Sequence, residues 1–285
     1  MKTAKVAASI SGNMLYQKRA REALPILVRQ AKSGNIITYS DLSEELKMPN
    51  PRNLNYVLGC IGTTLENISK EWGVEIPPIQ CLVVNKQTGL PGEGIGWFLT
   101  KEYDFSSLSR RQKRNLVDAK LNLIYSFNEW NKVLSTLNLR QLKINFKNEL
   151  DKAAIFIGGG ESDFHKRMKE YISRNPKSVS LSAKTSNGEM EYKLPSGDTI
   201  DVLFKNKKDW IAVEVKSRIS NDNDITRGIF QCIKYKAILE AMQTASGLPQ
   251  NARAILALES ELPKKLIALK NILNVEVIEL IKIDI

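Results

Sequence analysis

Residues 210–217 read Trp-Ile-Ala-Val-Glu-Val-Lys-Ser, an apolar strand carrying a carboxylate at 214 and an amine at 216. Successive strand side chains point to opposite faces, so Glu214 and Lys216 share one face while Ile211, Val213 and Val215 take the other. Unpaired, either charge would be costly to bury, so such a pair sits at the open end of a strand or shares a bound ion. Asp201 stands thirteen positions earlier, at the entrance to the apolar run Val202-Leu203-Phe204. Adjacent strands would therefore bring the two carboxylates together. Asp198 competes for this role, but it follows Gly197 in a turn, where Asp is common for backbone reasons, so Asp201 is preferred.

The flanking elements must hold these groups in place. Glu161 opens a helix whose apolar stripe is Phe164, Met168 and Ile172. At ~100° per residue it lies close to the direction of that stripe and points toward the sheet. A first-turn Glu also suits the helix dipole, a purely structural role. His165, one turn further on, is placed either to meet a substrate or to support its neighbours. Met190–Phe204 reads as a hairpin turning at Pro195-Ser-Gly. Thr226–Glu240 reads as a helix with Gln231 and Tyr235 on one face. Arg253–Glu259 is a buried strand and Pro263–Leu273 a final helix. Helix, three strands, helix, strand and helix make an α/β domain with a mixed central sheet flanked by helices.

The ordered set Glu161, Asp201, Glu214-Val215-Lys216 and Gln231-x-x-x-Tyr235 resembles the PD-(D/E)XK nuclease superfamily, over about residues 150–285. Ile200 stands where the pattern has Pro. The resemblance implies a restriction-endonuclease-like fold and a Mg²⁺-dependent endonuclease, with Mn²⁺ as a substitute. Asp201, Glu214 and the Val215 carbonyl would hold the ion, with Glu161 joining through water or a second ion. Lys216 would orient the attacking water and stabilise developing charge. Gln231 and Tyr235 would brace the phosphate or Lys216.

The first half reads differently. Gln17–Ala31 has helical spacing and stops at Ser33-Gly34-Asn35; Ile36-Ile37-Thr38 is a short β-like run; a helix starts near Ser40; and Arg52–Ile68 is helical again. Ile79–Asn85 reads as a strand leading into a Gly-rich hairpin, Thr88–Ile95. This is the outline of a winged helix-turn-helix. Ile37-Thr-Tyr-Ser-Asp-Leu, Pro51-Arg-Asn-Leu-Asn-Tyr-Val-Leu-Gly and Ile76-Pro-Pro-Ile-Gln-Cys-Leu-Val-Val-Asn resemble the DNA-binding domain of alkylguanine-DNA alkyltransferases, over roughly residues 17–100. The resemblance implies Arg52 and Asn53 near the start of a recognition helix that meets DNA. That family's reactive Cys lies in Pro-Cys-His-Arg-Val. Here Cys81 has neither Pro directly before it nor His beside it, so nothing nearby lowers its pKa.

Three domains are therefore expected: a mainly α winged-helix domain over 1–105, a helical bridge over 106–149, and the nuclease domain over 150–285. In the bridge, Leu116, Leu121, Ile124, Phe127 and Val133 are expected to pack between the domains, and Arg110-Arg111-Gln112-Lys113-Arg114 either touches phosphate or forms a solvated face. A net charge of +11 points to a polyanion, read as double-stranded DNA. Three scattered cysteines fit neither a disulfide framework nor a zinc site, and one histidine argues against His-rich metal centres and Ser-His-Asp hydrolysis. No ~20-residue apolar run appears, so no membrane partner is expected and the chain reads as cytoplasmic. One such site cuts one strand, so double-strand breaks would call for a homodimer. The biology suggested is restriction or defence against foreign DNA. A DNA-binding regulator or scaffold that does not cut, and a structure-specific DNA or RNA nuclease, are the alternatives.

Overall fold

The computed structural model describes residues 7–99, 104–143, 145–154, 162–207 and 209–283. The chain divides into two units, Met1–Ile144 and Asn145–Ile285.

In the first unit, α1 (Leu15–Ser33) buries Ala20, Leu24, Leu27, Val28 and Ala31 and stops at Gly34, whose φ of 69° a residue with a Cβ rarely adopts. Then come β1 (Ile37–Thr38) and α2 (Tyr39–Glu45). The α2 cap is Thr38, whose hydroxyl accepts from the Asp41 N–H at 3.1 Å, so the helix begins ahead of the expected Ser40. α3 (Leu54–Trp72) buries Leu54, Val57, Leu58, Ile61, Leu65 and Ile68. Ile79–Leu82, expected as strand, is a 3₁₀ turn; only β2 (Val83–Val84) pairs, in parallel with β1. The Gly-rich segment is likewise not a hairpin among the described residues. It is a turn at Asn85–Leu90 followed by a 3₁₀ turn, Glu93–Ile95, and the short helix α4 (Gly96–Leu99). Arg114 supplies the reason: it donates to the carbonyls of Thr88 (2.7 Å) and Gly89 (2.9 Å), which a partner strand would otherwise have satisfied.

Arg114 lies on α5 (Arg110–Ser126), which with α6 (Trp130–Thr136) covers the segment expected as a bridge. Both helices belong to the first unit. Val117, Ile124, Trp130, Val133 and Leu134 are buried in one core with Leu24, Leu54 and Leu82, and the Trp130 indole donates to the Ile124 carbonyl at 2.9 Å. Leu116, Leu121 and Phe127 pack against the same core. Their apolar periodicity was legible, but periodicity does not say which body a stripe packs on.

In the second unit, α7 (Lys147–Ala154) and α8 (Asp163–Arg174) precede the hairpin β3 (Glu189–Lys193) and β4 (Thr199–Lys205), which turns at Gly197 with φ 86°. After it come β5 (Trp210–Lys216), α9 (Asp222–Ala245), β6 (Arg253–Leu258), α10 (Ile267–Ile272) and β7 (Glu276–Ile278). The sheet has the order β3-β4-β5-β6-β7, antiparallel from β3 to β5 and parallel from β5 to β7. This is a mixed five-stranded sheet flanked by helices. Met168 and Ile172 of α8 cover one face, over Val202, Phe204, Val213 and Val215. On the other, Ile229 of α9 and Leu269 of α10 pack on Leu256 and Leu258, and Tyr235 and Leu239 on Leu203 and Ala212. Both faces of β5 are thereby buried, which its apolar run Trp210–Val213 requires.

Candidate functional site

A fork in the sheet makes the site. β5 stays paired with β6 as far as Lys216↔Leu258, whereas its pairing with β4 stops at Val202↔Val213. Beyond that point the Val215 N–H is taken by a side chain: Asp201 Oδ2 accepts from it at 2.7 Å. Asp201 Oδ1 lies 3.2 Å from His165 Nε2, on the first turn of α8. That turn is fixed by Ser162, whose hydroxyl accepts from the His165 N–H at 3.2 Å. On the α9 side of β5, Lys216 Nζ lies 2.6 Å from Glu214 Oε1, and Glu214 is only 3% exposed. Asp201, Glu214 and Lys216 thus converge at the carboxyl end of β5, and His165 joins them.

The two carboxylates are driven in opposite directions. Burial pushes Glu214 up to about 7, the negative charge of Asp201 adds to this, and Lys216 opposes it. Asp201 is also disfavoured by burial, yet it lies below its ordinary value because His165 and the Val215 N–H hold its charged form. Burial works against the Lys216 ammonium too, but Glu214 outweighs it and raises that group. The site therefore joins a stable carboxylate, a carboxyl that ionises near neutrality and a fixed cation. Separation of two carboxyls in this way equips a site for acid–base or ion-binding work.

The remaining expected residues are placed as follows. Tyr235 donates to the Thr199 carbonyl at 2.8 Å, and Gln231 Nε2 donates to the Tyr235 hydroxyl at 3.2 Å. This pair braces the start of β4, two residues ahead of Asp201, where a brace on the phosphate or on Lys216 was expected; Tyr235 is 1% exposed. The Gln231 Oε1 is buried without a partner. Asp198, the rival of Asp201, is held in its turn by Lys234 (2.6 Å) and Ser196 (2.7 Å). Glu161 lies outside the described residues. Among those described, no group of three or more His, Cys, Asp or Glu side chains is arranged to hold a metal ion. Neither is there a helix among them long and apolar enough to cross a membrane.

In the first unit, Arg52 and Asn53 lie in the 3₁₀ turn Pro51–Asn53 at the head of α3, where the Asn50 side chain accepts from the Arg52 N–H at 3.0 Å. Arg52 borders a cavity of about 600 Å³, lined also by Tyr39, Asn55, Gln80 and Phe98. Gln80 is 3% exposed, and neither its amide nitrogen nor its amide oxygen has a hydrogen-bond partner. Within the basic run of α5, Lys113 pairs with Glu93 at 2.8 Å and Arg114 holds the Gly-rich turn, so half of that run's four cations are spent internally.

Cys81 is fully buried, and burial pushes its thiol up to about 12; Cys60 is pushed up to about 11 and Cys232 well above its usual value. No thiol is an activated nucleophile. Native protein at pH 8 is expected to resist iodoacetamide at all three cysteines and to take three labels after denaturation; rapid native labelling of Cys81 would contradict this.

His165 was the residue least legible in advance: one histidine at the head of a helix carries no spacing signal, and its partner Asp201 is 36 positions away. No family model, curated protein or solved structure matches the chain.

Proposed function

We propose that this chain is a Mg²⁺-dependent DNA endonuclease of the PD-(D/E)XK type, with a restriction-endonuclease-like second unit that cuts and a helical first unit that docks DNA. The observation carrying this reading is the convergence of Asp201, Glu214 and Lys216 at the β4/β5 fork, with one carboxyl held ionised and the other pushed up to about 7. Two buried carboxylates beside each other repel, and a divalent cation between them relieves that repulsion. Their hard oxygens suit Mg²⁺, or Mn²⁺ in its place, and leave Zn²⁺ poorly matched. Bound there, the ion would polarise a phosphate oxygen and lower the pKa of a coordinated water.

The chain's own residues do the rest. Asp201 is aimed by the Val215 N–H and His165, so its carboxylate costs little to reorganise. Lys216 presents a fixed positive charge to the phosphate and stabilises the charge that grows as water attacks phosphorus and the 3′ oxygen departs. Tyr235 and Gln231 keep β4 in place. In the first unit, Arg52 and Asn53 stand where a helix N-terminus meets phosphate. The adjoining cavity, with the Gln80 donor and acceptor, has the room and chemistry for one base turned out of a duplex.

One site of this kind cuts one strand, so nicking is the elementary product and a homodimer would be needed for double-strand breaks. The test is incubation of the purified chain with supercoiled plasmid, single-stranded circles, branched DNA and RNA. Nicking of the plasmid that EDTA abolishes is the expected result. Metal-dependent cleavage of RNA or branched DNA alone would reassign the substrate, and binding without any cleavage would remove the enzymatic reading.

A further inference from the structure

Gly228 lies in the interior of α9, where glycine is a poorer helix former than alanine. Its backbone is ordinary helix, so no special dihedral requires it. What requires it is approach. A Cβ added at 228 would lie 2.7 Å from Leu256 Cδ1, 3.1 Å from Lys216 Cε and 3.6 Å from Glu214 Cγ. The first of these is closer than real Cβ atoms come, and the second forces Lys216 to shift. Gly228 is thus where α9 comes down onto the paired strands β5 and β6, directly over the stems of the two charged residues.

We propose that Gly228 is a positioning residue of the candidate site: its bare backbone forms the wall along which the Lys216 and Glu214 stems lie, and so it sets where the ammonium meets the carboxylate. This rests on the nuclease reading for its catalytic consequence but not for its geometry. A methyl group at 228 requires the Lys216 stem to give by a few tenths of an ångström, on the side chain that makes the 2.6 Å contact with Glu214. The contact with Leu256 is a separate matter of core packing, and the two are separable by mutation.

The experiment compares wild type, Gly228→Ala, Leu256→Val and the Gly228→Ala/Leu256→Val double variant as full-length proteins. Three quantities are read: melting temperature, acylation of Lys216 by an N-hydroxysuccinimide ester followed by mass spectrometry, and plasmid cleavage as kcat and KM. Lys216 is 13% exposed in its side chain and ion-paired, so the wild type is expected to acylate slowly there. Gly228→Ala should acylate several-fold faster at Lys216 and lose at least tenfold in kcat with KM unchanged. The double variant, relieved at Leu256, should recover melting temperature while Lys216 stays labile and kcat stays low. Recovery of protection and kcat together with stability would overturn the proposal, since Gly228 would then only make room for Leu256. Wild-type protection of Lys216 in Gly228→Ala would overturn it equally. A wild type that cuts nothing, with Lys216 protected and then freed by the substitution, would instead remove the nuclease reading and leave the positioning role standing.

Discussion

Replacement of Lys216 by Met lowers the single-turnover rate of Mg²⁺-dependent cleavage by about 10²–10³-fold, the usual effect of removing one fixed charge or donor aimed at a developing anion. The thioether keeps the volume of the stem against Gly228, so the helix–sheet contact survives and the loss reports charge alone. DNA affinity, measured by fluorescence anisotropy in Ca²⁺, stays within about twofold, because many phosphate contacts across a basic surface supply it. Glu214 is then buried beside Asp201 without its cation, which is costly for a carboxylate, so its carboxyl rises further above 7 and takes a proton. Residual activity should therefore shift to higher pH. A Lys216→Met enzyme with wild-type rate and pH profile would show that the ammonium at the fork takes no part in the reaction.

The second large effect concerns stability. The folded-state value of Glu214 is raised to about 7 from an ordinary 4.5. The folded protein therefore holds that proton more tightly than the unfolded chain does. Its stabilising contribution is complete below about 4.5 and is lost as pH rises through about 7. In metal-free protein this amounts to roughly 1–3 kcal/mol between pH 5 and pH 8, since each unit is worth about 1.4 kcal/mol. For a unit of this size the melting temperature should fall by about 3–10 °C. Asp201 works in a different window: its value is depressed, so its contribution is lost only as pH falls below the ordinary carboxylate range. Mg²⁺ competes with the Glu214 proton, so millimolar Mg²⁺ should restore melting temperature at pH 8 and have little effect at pH 5. Glu214→Gln should remove both the pH dependence and the Mg²⁺ response. Calorimetric scans of the two proteins at pH 5 and 8, with and without Mg²⁺, decide this; a wild-type melting temperature indifferent to pH and Mg²⁺ would contradict it.

Much of the second unit was legible because its signals are local. The alternation in Trp210–Lys216 names a strand and puts Glu214 and Lys216 on one face, and Gly197 marks the hairpin turn. What sequence could not convey was long-range pairing. The fork that frees the Val215 N–H for Asp201 follows from where β4 stops pairing, and the seat of Tyr235 on the Thr199 carbonyl follows from how α9 crosses the sheet. The first unit repeats the lesson. α1 and α3 were visible in their apolar stripes, whereas the Gly-rich segment became a turn because Arg114, 25 residues beyond Gly89, satisfies its carbonyls. The stripe on α5 and α6 announced burial and withheld its partner.

The rate of plasmid nicking as a function of Mg²⁺, for wild type beside Asp201→Asn and Glu214→Gln, tests whether the two carboxylates at the fork carry the reaction. A saturable metal dependence is expected in the wild type, with cleavage lost in both variants while salt-sensitive DNA binding persists. Nicking that survives EDTA, or proceeds unchanged in both variants, would place the chemistry elsewhere than at the β4/β5 fork.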